Sequence, residues 1–167
     1  MIFKIENTNS KVQEGYTIAG EILASGEFFD RLTDVSRFTY TKMDQAEVIG
    51  TIMAQMDGII TGLTPKIPVE QEYINDSAIA RVYSNRPGIW VNDKFTRSAN
   101  LKTFIENGAH ESMHIFGLGH GSNFLPTSLK GRIMMKVLLE FEDKHQSVPL
   151  MVQKIVSQIA KDRRLIK

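Results

Sequence analysis

Cysteine is absent from the chain. That excludes disulfide cross-links, thiolate nucleophiles and zinc sites built from cysteine. The redox compartment stays open, since a chain without thiols tolerates either state. Charge of one sign is lacking too: 20 Lys and Arg stand against 19 Asp and Glu, a net charge of +1. So balanced a chain carries no electrostatic footprint for nucleic acid or an anionic membrane, and neither is expected as a partner. No window approaches the ~20 consecutive apolar residues of a membrane-spanning helix. The opening, Met1-Ile2-Phe3-Lys4-Ile5-Glu6-Asn7, lacks the basic start and long apolar run of a signal peptide. The expectation is therefore a cytoplasmic or non-classically exported protein. Repeats, linkers and low-complexity tracts are missing, and no feature assigns an oligomeric state.

What is present is ordinary globular material. At 167 residues, with 42% hydrophobic and 23% charged, the chain reads as one domain with a real core. Residues 1–18 are weakly patterned and read as an arm or short edge strand. Ile22, Leu23, Phe28, Phe29, Leu32 and Val35 have helical spacing broken at Ser25-Gly26, so one or two short helices are expected over 19–36. Arg37 to Met43 alternates like a strand. Asp44-Gln45-Ala46-Glu47 has capping-box spacing, the stripe Val48, Ile49, Ile52, Met53, Met56, Ile59 and Ile60 follows at helical period, and Gly62 closes the helix. Three strand candidates come next: Ile67 to Tyr73, Ala78 to Ser84, and Ile89 to Asn92. Asn85-Arg86-Pro87-Gly88 is turn chemistry between the last two. Asn100 or Ser98 caps a further helix, whose core side is Leu101, Phe104, Ile105, Gly108, Ala109, Ser112 and Phe116. Ser147-Val148-Pro149 starts a last amphipathic helix carrying Val152, Ile155, Val156 and Ile159.

Within the penultimate helix, His110-Glu111-Ser112-Met113-His114 falls off the apolar stripe. Histidines at i and i+4 share one helix face, with Cβ atoms roughly 5–6 Å apart. Both imidazoles then reach one Zn²⁺ at about 2.0–2.1 Å. Glu111 projects from a neighbouring angle and suits a base beside the metal better than a ligand. Gly117 follows where the helix can end in a left-handed turn without a Cβ penalty. The chain then returns His120 as a third ligand. At average frequencies the five-residue pattern arises by chance in roughly one chain in a few hundred, and the pattern extended to Gly117 and His120 in about one in a hundred thousand. The spacing is therefore taken as chemistry.

Residues 110–120 match H-E-x-x-H-x-x-G-x-x-H at every fixed position and so resemble the metzincin metallopeptidases. The order strand, helix, three strands and zinc helix is similar to that family's upper subdomain, which carries the resemblance over about 37–120. It implies an α+β fold: a small mixed twisted sheet with a backing helix and an active-site helix, then a mostly irregular and helical C-terminal subdomain. Within a single catalytic domain, 1–36 would be an N-terminal extension or helix, 37–117 the upper subdomain and 118–167 the lower one. The resemblance implies Zn²⁺ held by His110, His114 and His120, with Glu111 as general base on a metal-bound water. It implies a methionine turn beneath the metal, for which Met134 in Ile133-Met134-Met135 is preferred over Met151. It implies a polypeptide substrate lying extended along an edge strand, with Ile89, Trp90, Val91 and Asn92 as the candidate rim. The expected function is a zinc-dependent endopeptidase. Its competitor is a catalytically silent zinc-binding interaction or structural module, and hydrolysis of a non-peptide amide is a third reading. Glu140 and Glu142 are the carboxylates that would replace His120 as ligand. His145 has no partner at ligand spacing and reads as a surface residue.

Overall fold

A computed structural model describes residues 2–6, 9–35, 38, 43–120 and 147–167. Asn9 begins its helical part: the side-chain oxygen accepts from the Lys11 and Val12 amides, satisfying donors a helix start leaves orphaned. Helix α1 (Ser10–Leu23) follows, and Val12, Tyr16, Ala19 and Leu23 recur every three or four residues along its buried face. It starts well before the stretch expected to be helical, because polar residues and Gly15 dilute its apolar stripe. The break expected at Ser25-Gly26 is present. Ser25 caps α2 (Gly26–Thr33) by accepting from the Phe28 amide. Helix α3 (Gln45–Thr61) carries the full Asp44/Glu47 capping box and ends at Gly62 with φ 81°. The strand expected over Arg37–Met43 lies outside the described residues except for Phe38, which is buried, and Met43.

Four strands, β1 (Phe3–Ile5), β2 (Ile67–Glu72), β3 (Ala80–Tyr83) and β4 (Arg86–Asn92), form a mixed sheet in the order β1-β2-β4-β3. β1, β2 and β4 run parallel, with Phe3 opposite Ile67 and Val69 opposite Ile89. β3 returns antiparallel along β4, with Val82 opposite Ile89. Two expectations are corrected here. The hairpin turns at Ser84-Asn85, and Arg86, Pro87 and Gly88 belong to β4. Gly88 serves a close approach: it has φ 116°, and a Cβ there would lie 2.8 Å from the Pro68 carbonyl oxygen. The second correction concerns the rim. Ile89–Asn92 lies inside the sheet between β2 and β3, with Ile89, Val91 and Asn92 at 0% exposure and Trp90 at 9%. Consecutive buried residues are the pattern of a strand covered on both faces. Among the described residues the edges belong to β1 and β3.

After the single turn α4 (Asp93–Thr96) comes α5 (Leu101–Ile115), and the last helix is α6 (Val148–Asp162). α5 packs between α1 and α6. Its approach to α1 is close: a Cβ on Gly15 would meet the Phe104 Cβ at 2.5 Å, and one on Gly108 would meet the Ala19 Cβ at 3.1 Å. Of the two alternatives for residues 1–36, the helix is present, and it is no appendage. Ile2, Phe3, Tyr16, Phe104, Ile105, Val152 and Val156 share one core. α2 is tied to the end of α6 by Arg31 with Asp162 (2.8 Å) and Arg163 with Glu27 (3.0 Å). Solvent screens such exposed pairs, so they add little to stability. The protein is thus mixed α+β with a small four-stranded mixed sheet. Among the described residues no helix is long and apolar enough to cross a membrane.

Candidate metal centre

Asn100 caps α5, its side-chain oxygen accepting from the Thr103 amide at 2.9 Å. Phe104, Ile105, Gly108, Ala109, Ser112 and Met113 turn into the core. His110 and His114, one turn apart, are half-buried on another side, with ring centroids 5.1 Å apart. The helix end then places the third ring. Gly117, at φ 80°, donates its N–H to the His114 carbonyl at 3.1 Å, and Leu118 donates to the Met113 carbonyl at 2.8 Å. This paired closure is a Schellman motif, with Leu118 and Met113 both buried as its apolar flank. It reverses the chain, so that His120 sits 4.9 Å from the His110 ring and 5.0 Å from that of His114.

Each of the three histidines offers one ring nitrogen within 4.8 Å of the others. His110 Nε2 and His120 Nε2 are 3.1 Å apart. Nitrogens around one tetrahedral metal at 2.0–2.1 Å are separated by roughly 3.3 Å, so the spacing fits. On the far side of the rings, His110 Nδ1 donates to Gln153 Oε1 at 3.0 Å, and His120 Nδ1 lies 3.0 Å from Ser147 Oγ. Burial lowers the pKa of His110 to about 4, helped by His120 and His114. Burial, then His120, lowers that of His114 to about 4. His120 is also lowered, by burial. At neutral pH all three are uncharged, the form that binds a metal.

Glu111 points elsewhere on α5 and is 8% exposed. Burial pushes its pKa up to about 7, against the opposing pull of Asn107 and Arg81. Asn107 Nδ2 donates to Glu111 Oε1 at 3.4 Å, and the buried Tyr16 hydroxyl donates to Asn107 Oδ1. Glu111 and His114 open on a cleft of about 470 Å³, walled by Ala80, Arg81, Val82 and Ser84 along and beyond β3.

The donor set, three imidazoles converging beside a carboxylate, fits a metal ion that accepts nitrogen ligands. The structure brings together His110, His114 and His120, sets Glu111 on the same cleft as His114, and puts Gly117 at the turn. Ile89, Trp90, Val91 and Asn92 do not line the cleft. Met151, the competitor for the methionine turn, is inside α6. Met134, Met135, Glu140, Glu142 and His145 lie outside the described residues. Sequence reasoning missed Asn107, Arg81 and Gln153, and took Ser147 for a helix cap alone. Asn107 could have been found, four residues before Glu111 on one helix face. Gln153 and Ser147 stand far along the chain, and no spacing rule connects them to the histidines. No family model, curated protein or solved structure matches the chain.

Proposed function

We propose that this protein is a zinc-dependent endopeptidase with a metzincin-like catalytic domain. The observation that carries the reading is that three imidazole nitrogens lie within 4.8 Å of one another, while one of those residues, His114, opens with the buried Glu111 on a cleft walled by β3. Zinc held by His110, His114 and His120 supplies Lewis acidity and a water of lowered pKa, about 7. Glu111 takes the proton from the attacking water and delivers it to the departing amine. A carboxyl with a pKa of about 7 is matched to both transfers at neutral pH. Asn107 holds one oxygen of that carboxyl. The peptide lies along β3, an edge strand among the described residues, and pairs its extended backbone with it. Ala80 and Val82 flank that path, and Arg81 stands over it as a guanidinium donor.

The test is cleavage of a peptide pool by protein loaded with stoichiometric zinc. Cleavage should stop on adding a chelator and return with zinc. Stoichiometric zinc without any cleavage would instead leave a silent metal-binding module.

A further inference from the structure

We infer, resting on the zinc reading above, that α6 is part of the metal site. Gln153 and Ser147 are positioning residues that accept the Nδ1 protons of His110 and His120, orient both rings and leave each Nε2 lone pair to the metal.

The two outer hydrogen bonds differ in chemistry. Gln153 offers His110 Nδ1 a carbonyl oxygen at 3.0 Å. That oxygen only accepts, so Nδ1 keeps its proton and Nε2 keeps its lone pair. His120 Nδ1 meets the Ser147 hydroxyl at 3.0 Å. A hydroxyl can accept as well as donate, so Ser147 takes the Nδ1 proton and leaves the His120 Nε2 lone pair to the metal.

The start of α6 leaves this hydroxyl available. Ser147 stands at the N-cap position with extended backbone, yet its side chain makes no cap hydrogen bond. Pro149, at the second helical position, has no N–H to offer it. Gln153 and Ser147 act across 43 and 27 residues of chain, so metal capture and docking of α6 form one linked equilibrium.

The experiment combines competitive zinc titration with long-range ¹H–¹⁵N NMR of the histidine side chains. With zinc bound, His110 and His120 should both carry their proton on Nδ1. Gln153→Leu and Ser147→Ala should each lose about 10–100-fold in zinc affinity, the range of second-sphere changes. Gln153→Glu can only accept, so it should hold zinc better than Gln153→Leu does. A loss in Gln153→Glu equal to that in Gln153→Leu would overturn the assigned direction of the bond. Wild-type affinity in both Gln153→Leu and Ser147→Ala, or a zinc-bound His110 or His120 with its proton on Nε2, would overturn the inference. Zinc binding that responds as expected, without peptide cleavage, sustains it and sinks the peptidase. Cleavage by variants of unaltered zinc affinity does the reverse. A wild type with no zinc affinity removes both.

Discussion

Glu111 would titrate near 4.5 in an unfolded chain and titrates at about 7 when folded. Between those values the folded protein holds a proton that the unfolded chain has released. The stability this group contributes is full below about 4.5 and is lost as pH rises through 7. His110 and His114 run the other way. Their folded values of about 4 lie below the ordinary imidazole value of 6.5, so their burial costs stability in acid and ceases to do so above 6.5. In metal-free protein, Glu111→Gln removes the first dependence and keeps the second. Its denaturation midpoint relative to wild type should climb between pH 4.5 and 7 and level off above. A constant offset across that window would mean Glu111 is not buried uncharged. The same variant should keep zinc and lose turnover, since Glu111 is no ligand. At this scale the histidines and Glu111 were readable because helix spacing is local. Gln153 was not, because its tie to His110 is made only by tertiary packing.

The elements teach a related lesson through their glycines. Gly117 holds φ 80° with nothing within 4 Å of where a Cβ would stand. A substitution there meets backbone strain and not a clash, roughly 1 kcal/mol or more. The strained turn is the one that delivers His120. Gly117→Val should therefore weaken zinc binding more than it lowers the thermal midpoint of the metal-free protein. Equal zinc affinity in variant and wild type would show that His120 is placed by other contacts. Gly15 is the opposite case, its cost coming from the Phe104 side chain 2.5 Å away. Caps and helix ends at Asp44, Gly62, Asn100 and Gly117 were legible because each uses a side chain or a φ that few residues supply. The β3–β4 hairpin was misread because Pro87 and Gly88 look like a turn. Gly88 is required by the neighbouring backbone of Pro68, a contact 20 residues distant that no local rule contains.

Across the whole molecule, α5 is held from one side by α1 and from the other by α6, and its end returns to the centre through His120. A metal bound there joins the turn after α5 to the start of α6. Ligand that binds only the folded chain stabilises it by about 2.7 kcal/mol at a hundred times its dissociation constant. Zinc should raise the thermal midpoint of the wild type, and the rise should fade as pH falls toward about 4, where protons displace the metal from the folded His110 and His114 imidazoles. His120→Ala should show little of it at equal zinc. A full rise in that variant would place the third ligand elsewhere. The α+β class and most element positions could be read from periodicity. The strand order could not, since an edge and an interior strand differ only in what lies beside them.

The edge position of β3 among the described residues has a second consequence, for the behaviour of the protein in solution. An unpaired strand edge invites the same strand of a neighbouring molecule, which is how folded proteins begin to aggregate. β3 is only four residues long, from Ala80 to Tyr83, and Arg81 projects from it, exposed and paired with Asp76. Two copies meeting edge to edge would have to seat two Arg81–Asp76 pairs against one another along only four residues. So short an edge, carrying a bulky ion pair, suits a flexible chain better than a second folded copy.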